Sequence, residues 1–141
     1  MIRSCARGSV LMLMPAGLLV VFVLGSISIE FAAVSMRQRA LYNAADAAAN
    51  DAATYAIDRT VLRATGEVVL DPTLVEEAVG VSLRSQGVVL LSPPLVEVSA
   101  DGKTIHLELV QHVPFVIAGA LPGTDGTVVR ANVRVTAIDT T

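Results

Sequence analysis

The sequence has 141 residues, 53% of them hydrophobic and 16% charged, and all 13 acidic residues lie from Glu30 onward. A length of this order accommodates one membrane-sized helix and one small domain, and the part after Ile29, with 8 basic against 13 acidic residues, offers no basic patch for nucleic acid. The one cysteine, Cys5, excludes an intramolecular disulfide.

The sequence divides into a short cytoplasmic tail (1–8), a transmembrane helix (9–29), an extracytoplasmic helical stalk (30–65) and a small extracytoplasmic domain (66–141). Gly8 to Ile29 is a run of 22 residues without a charge. As a helix it covers roughly 33 Å, about the hydrocarbon thickness of a bilayer. Arg3 and Arg7 before the run nearly balance Arg37 and Arg39 after it, and the amino-terminal charge then favours an inside N-terminus. A cleaved secretory signal is the competing reading, with 10–24 as its apolar core and a cut after Gly25. The helical pattern flows straight through that cut, which argues for an intact anchor. Pro15 removes a backbone donor and predicts a bend. Gly17, Gly25, Ser26 and Ser28 are small enough to let a second membrane helix approach closely. Glu30, the first charge after the run, marks the outer interface.

No Gly or Pro occurs between Ser26 and Thr65, so one helix is expected to continue from the anchor to about residue 62. Leu41, Ala45, Ala48, Ala52 and Tyr55 share one face of this stalk at helical spacing, a face whose small side chains permit close approach. Gly66 ends it, and 66–71 reads as a short strand or extended linker. Asp71-Pro72 has the form of an N-cap followed by a first-turn proline, predicting a helix to about Ser85. Its apolar face would be Leu74, Val75, Ala78, Val79 and Leu83, and Gly87 would stop it.

The remainder alternates with period two. Strands are expected at 95–100, 103–113 and 127–138, with Asp101-Gly102 as a two-residue hairpin turn. One face would carry Ile105, Leu107, Leu109, Val129, Val133 and Val135, and the other Glu97, Glu108, Arg130 and Arg134. The fold class is therefore α+β, pilin-like: a long transmembrane-plus-stalk helix, one short helix, and a three- to four-stranded antiparallel sheet leaning on both helices. The apolar stretch opening 114–126 either packs in the core or contacts the membrane or a partner.

No catalytic constellation is legible. His106 and His112 share a strand face about 20 Å apart, too far to ligate one metal together. No nucleophile motif or phosphate-binding loop occurs, and Asp46 and Asp51 read as solubilising charges on an alanine helix. No enzyme activity, cofactor or small-molecule substrate is expected.

One ordered combination of features points to a family. Arg7-Gly8-Ser9 opens the apolar span, Glu30 closes it, and Arg37, Arg39 and the NAADAAA block at 43–49 follow. Over roughly residues 6 to 56 the chain resembles the TadE/TadG-like proteins of bacterial tight-adherence (Flp) pilus assembly. The resemblance implies a single-pass, minor-pilin-like component of a type IV-related pilus or secretion apparatus. Its partners would be the lipid bilayer and other pilin-like or assembly membrane proteins, further copies of itself included. It also implies processing at Gly8-Ser9, although position 13 is Leu13 where the prepilin pattern has glutamate. Gly17, Gly25, Ser26, Glu30, Ala45, Ala48 and Ala52 are the candidate packing and assembly residues. The alternative is a membrane-anchored or secreted binding module that recognises a ligand or partner through its sheet or apolar loop.

Overall fold

A computed structural model describes residues 7–120 and 123–138, with side chains from Leu13 onward except that of Ala120. The tail carrying Arg3 and Cys5 and the side chains at Gly8-Ser9, where the resemblance implies processing, lie outside the described residues. The first element, α1, is a helix of 49 residues from Arg7 to Tyr55 that includes Pro15. At 1.5 Å per residue it extends roughly 73 Å. It passes through Glu30 without interruption, as expected from a stretch of good helix formers. Its two halves differ in environment. The apolar side chains from Leu13 to Ile29 are largely exposed, whereas Leu41, Ala44, Ala45, Ala48, Ala49 and Ala52 are buried.

The helix stops at Tyr55, short of the expected end near residue 62. Backbone pairing overrides the local propensity there. The Asp58 N–H donates to Val69 O at 2.8 Å, the Asp71 N–H donates to Ala56 O at 2.9 Å, and Ile57 bridges Leu70. The segment 66–71 is thus extended and holds the chain at 56–58 out of helical geometry. Asp58 then caps a separate short helix, α2 (Arg59–Thr65), accepting the N–H groups of Thr60 and Val61. The helical stalk is therefore α1 to Tyr55 plus a second, separately capped helix.

The third helix, α3 (Pro72–Ser85), starts as predicted, with Asp71 accepting the Thr73 and Leu74 N–H groups and Pro72 in the first turn. Three strands, β1 (Leu95–Val98), β2 (Thr104–Val113) and β3 (Thr127–Thr136), form an antiparallel sheet in sequence order. The β1–β2 turn is longer than the expected two residues. Val98 lies opposite Ile105, the Ser99 N–H donates to Thr104 O at 2.8 Å, and the Gly102 N–H donates to Ser99 O at 2.8 Å. Gly102 has φ 67°, and a Cβ there would press on Val69, so this turn also touches the 66–71 linker. Before β1, the Leu91 N–H reaches Val110 O at 2.8 Å. Pro93 and Pro94 separate that contact from β1, which keeps the sheet at three strands.

One face of the sheet is the core. Ile105, Leu107 and Leu109 are fully buried, with Val113, Val129, Ala131 and Val133 beside them. Alpha1 covers β2 and β3, and α3 packs on α1 and reaches β1. Val75, Val79 and Leu83 of α3 complete the cluster. Each buried Leu or Ile contributes roughly 1.5–3 kcal/mol relative to exposure, and the alanines of α1 let the sheet approach the helix backbone. Two expected core positions lie elsewhere. Tyr55 is 75% exposed, with Ala56 buried next to it, and Leu74 lies at the solvent edge of α3. On the wet face Arg130 and Glu108 approach to 3.7 Å, and Arg134 Nε lies 3.5 Å from His106 Nδ1.

Candidate functional site

Where the charge-free run ends, α1 meets the loop that joins β2 to β3. Pro114 follows the last residue of β2, and the chain turns through 115–117 into a short 3-10 helix, Ala118–Ala120. Such a turn leaves its leading N–H groups without backbone partners. Glu30 supplies them. Its Oε2 accepts the Val116 N–H at 2.9 Å, and its Oε1 accepts the N–H groups of Ile117 and of Ala118, the latter at 2.8 Å. The Thr124 hydroxyl donates to Ala118 O and ties the far side of the loop to its middle. Gly126, at φ 149°, closes the loop where a Cβ would collide with the Val113 carbonyl and the His112 imidazole.

Below this clamp lies an open groove of about 740 Å³ between the loop and the helix. Phe22, Ile27, Phe31 and Val34 form its helix wall, and Phe115 and Ile117 its loop wall. Val116 does not line the groove and is 67% exposed. The arrangement is a polar clasp inside an apolar surface. Among the described residues it brings together one carboxylate and three backbone N–H groups, an arrangement that positions the loop.

The other candidate residues separate into two groups. Gly17 and Gly25 lie on the open surface of α1, with no atom within 4 Å of where a Cβ would stand. Ser26 lines the groove while its hydroxyl donates to Phe22 O at 2.9 Å, and Ser28 makes the same bond to Leu24 O at 2.8 Å. Ala45, Ala48 and Ala52, in contrast, are 0% exposed. Their face is occupied by the chain's own α3 and sheet, so as assembly surfaces they are already taken within the chain.

Sequence reasoning missed two contacts. It placed Glu30 at an aqueous interface, whereas the carboxylate holds a loop 86 to 88 residues away. It read Asp51 as a solubilising charge, whereas Asp51 accepts the Ser82 hydroxyl at 2.6 Å. The first had a signal in the juxtaposition of a lone acid ending an apolar run and a loop whose first half is wholly apolar. Among the described residues no group of three His, Cys, Asp or Glu is placed to hold a metal ion. Comparison of the chain with protein-family models, curated proteins and solved structures finds no match.

Proposed function

We propose that this protein is a single-pass, membrane-anchored structural or assembly component that works by helix–helix packing. Its exposed N-terminal half of α1 sits in the bilayer, with the N-terminus inside and the α+β domain outside the cell membrane. The observation that carries the reading is the continuity of α1, one helix whose first half presents apolar side chains outward and whose second half is the spine of a folded domain. A membrane-length apolar helix that leaves its domain by the same rigid rod transmits position from bilayer to domain. Gly17 and Gly25 supply open, close-approach surface on the exposed half. The resemblance of residues 6 to 56 to TadE/TadG-like proteins makes a tight-adherence pilus or a related secretion apparatus the proposed setting, with minor-pilin-like subunits as partners.

The test is a cysteine scan of residues 13–29 in a Cys5→Ser background, oxidised in native membranes. Cross-linked species that recur every three or four positions and include Gly17 or Gly25 are the expected result. A chain released by carbonate washing, or cross-links without helical periodicity, would reject the assembly reading.

A further inference from the structure

We infer that the 114–118 loop is a second membrane contact, inserted among lipid acyl chains at the outer interface at a depth set by Glu30. The inference rests on the anchor reading above and adds to it how the domain sits on the bilayer. Three observations carry it. The first is position. Glu30 is the residue after the 22-residue charge-free run, so a loop bonded to its carboxylate lies level with the end of the span. The second is composition. From Val113 through Thr124 the sequence carries no charge, and Val116 faces outward.

The third is hydrogen bonding. Irregular backbone is tolerated in an apolar medium only when its polar groups are satisfied by protein. Here the three consecutive N–H groups of Val116, Ile117 and Ala118 all end on Glu30. The loop therefore offers lipid its side chains and withholds its leading donors. The groove beneath it, walled by Phe22, Ile27, Phe31 and Phe115, continues the apolar surface of the anchor and takes acyl chains. A domain held at two points, by helix and loop, has a fixed tilt on the membrane.

The chain contains no tryptophan, so each introduced one reports alone. Full-length chains carrying Leu19→Trp, Val116→Trp or Val81→Trp are placed in phosphatidylcholine nanodiscs with lipids brominated near the headgroup end or the middle of the acyl chain. Val81 neighbours Ser82, which is tied to Asp51, 21 residues beyond Glu30 and so roughly 31 Å farther along α1. Expected are loss of most Leu19→Trp emission with mid-chain bromine and of most Val116→Trp emission with headgroup-end bromine. Val81→Trp should stay unquenched. Ile117→Trp repeats the loop measurement if the Val116 variant does not fold. A loop tryptophan that emits as in water overturns the proposal. So does one that is blue-shifted but untouched by bromine, because a protein partner then covers the loop. If Leu19→Trp is also unquenched, the anchor reading fails and takes this inference with it. Quenching at Leu19 alone rejects only the loop contact.

Discussion

The Ser82 hydroxyl donates a 2.6 Å hydrogen bond to Asp51 Oδ2, joining α3 to the alanine-rich half of α1. Ser82 is a buried polar residue in α3, and Gln86 Nε2 donates to the same hydroxyl oxygen at 3.1 Å. The alanines of α1 supply close approach but little area, so a polar tie adds direction to a contact that apolar packing leaves loosely specified. Ser82→Ala removes the donor to the carboxylate and should cost about 1 kcal/mol, since a hydrogen bond to a charged group is worth more than a neutral one but this pair is only partly buried. Amide exchange in β2 of the full chain should quicken correspondingly. Unchanged exchange would show the tie to be energetically idle.

What was legible in the sequence follows physical range. The Asp71-Pro72 start of α3, the alternation of β2 and β3 and the alanine stripe are local or periodic patterns, and the structure follows them. Periodicity also assigned Leu107 to the core and His106 to the wet face. The breaks and ties depend on partners distant in sequence. Residues 56–58 carry no glycine or proline to announce a break and leave the helix by pairing with 69–71, Tyr55 ends α1 exposed while Ala56 beside it is buried, and Asp51 and Glu30 bond to residues on other elements. A charge on a helix reads as solvated until the fold brings a donor to it.

The register of the sheet gives a paired prediction. Leu107 is fully buried and lies opposite Val133, while neighbouring His106 lies opposite Arg134 on the other face. Leu107→Asp puts a carboxylate where no partner exists and should abolish folding of the domain, and Leu107→Ala should cost about 2–5 kcal/mol. His106→Asp instead brings a carboxylate beside Arg134 and should be close to neutral. Urea titration of the three variants in detergent checks the order. A stable Leu107→Asp domain would mean that this face is not the core.

Acid should loosen α2 before it unfolds the domain. The Thr60 hydroxyl, followed by the backbone N–H groups of Val61 and Thr60, holds the Asp58 carboxyl below the ordinary range. A depressed folded-state value gives stabilisation that is fully present above the unfolded aspartate pKa, about 3.9, and is lost as pH falls through the lower folded value. Protection of the Thr60 and Val61 amides, taken relative to their intrinsic pH-dependent exchange rates, should therefore be constant near neutral pH and fall only in acid. Asp58→Asn retains a capping oxygen and should remove that pH dependence while leaving α2 folded. An Asn variant with the parent's acid response would assign the titration to another group.

The clasp at Glu30 predicts a graded response that separates its two oxygens. Oε2 serves Val116 alone, while Oε1 serves both Ile117 and Ala118. Glutamine keeps one acceptor oxygen and replaces the other with an NH2 donor, which cannot receive an N–H. With its carbonyl in the Oε1 position, Glu30→Gln retains the two bonds to Ile117 and Ala118 and loses the one to Val116. Glu30→Ala loses all three. The core beneath α1 from Leu41 to Ala52 does not depend on this contact, so the domain should remain folded in both variants. Residue-resolved amide exchange on the full chain in nanodiscs should show Val116 alone deprotected in Glu30→Gln and all three amides deprotected in Glu30→Ala, with the β2 amides at 105–109 unchanged. Equal protection of the three amides in parent and Glu30→Ala would mean that other groups satisfy the loop, and Glu30 would lose its place as the residue that sets the loop's depth.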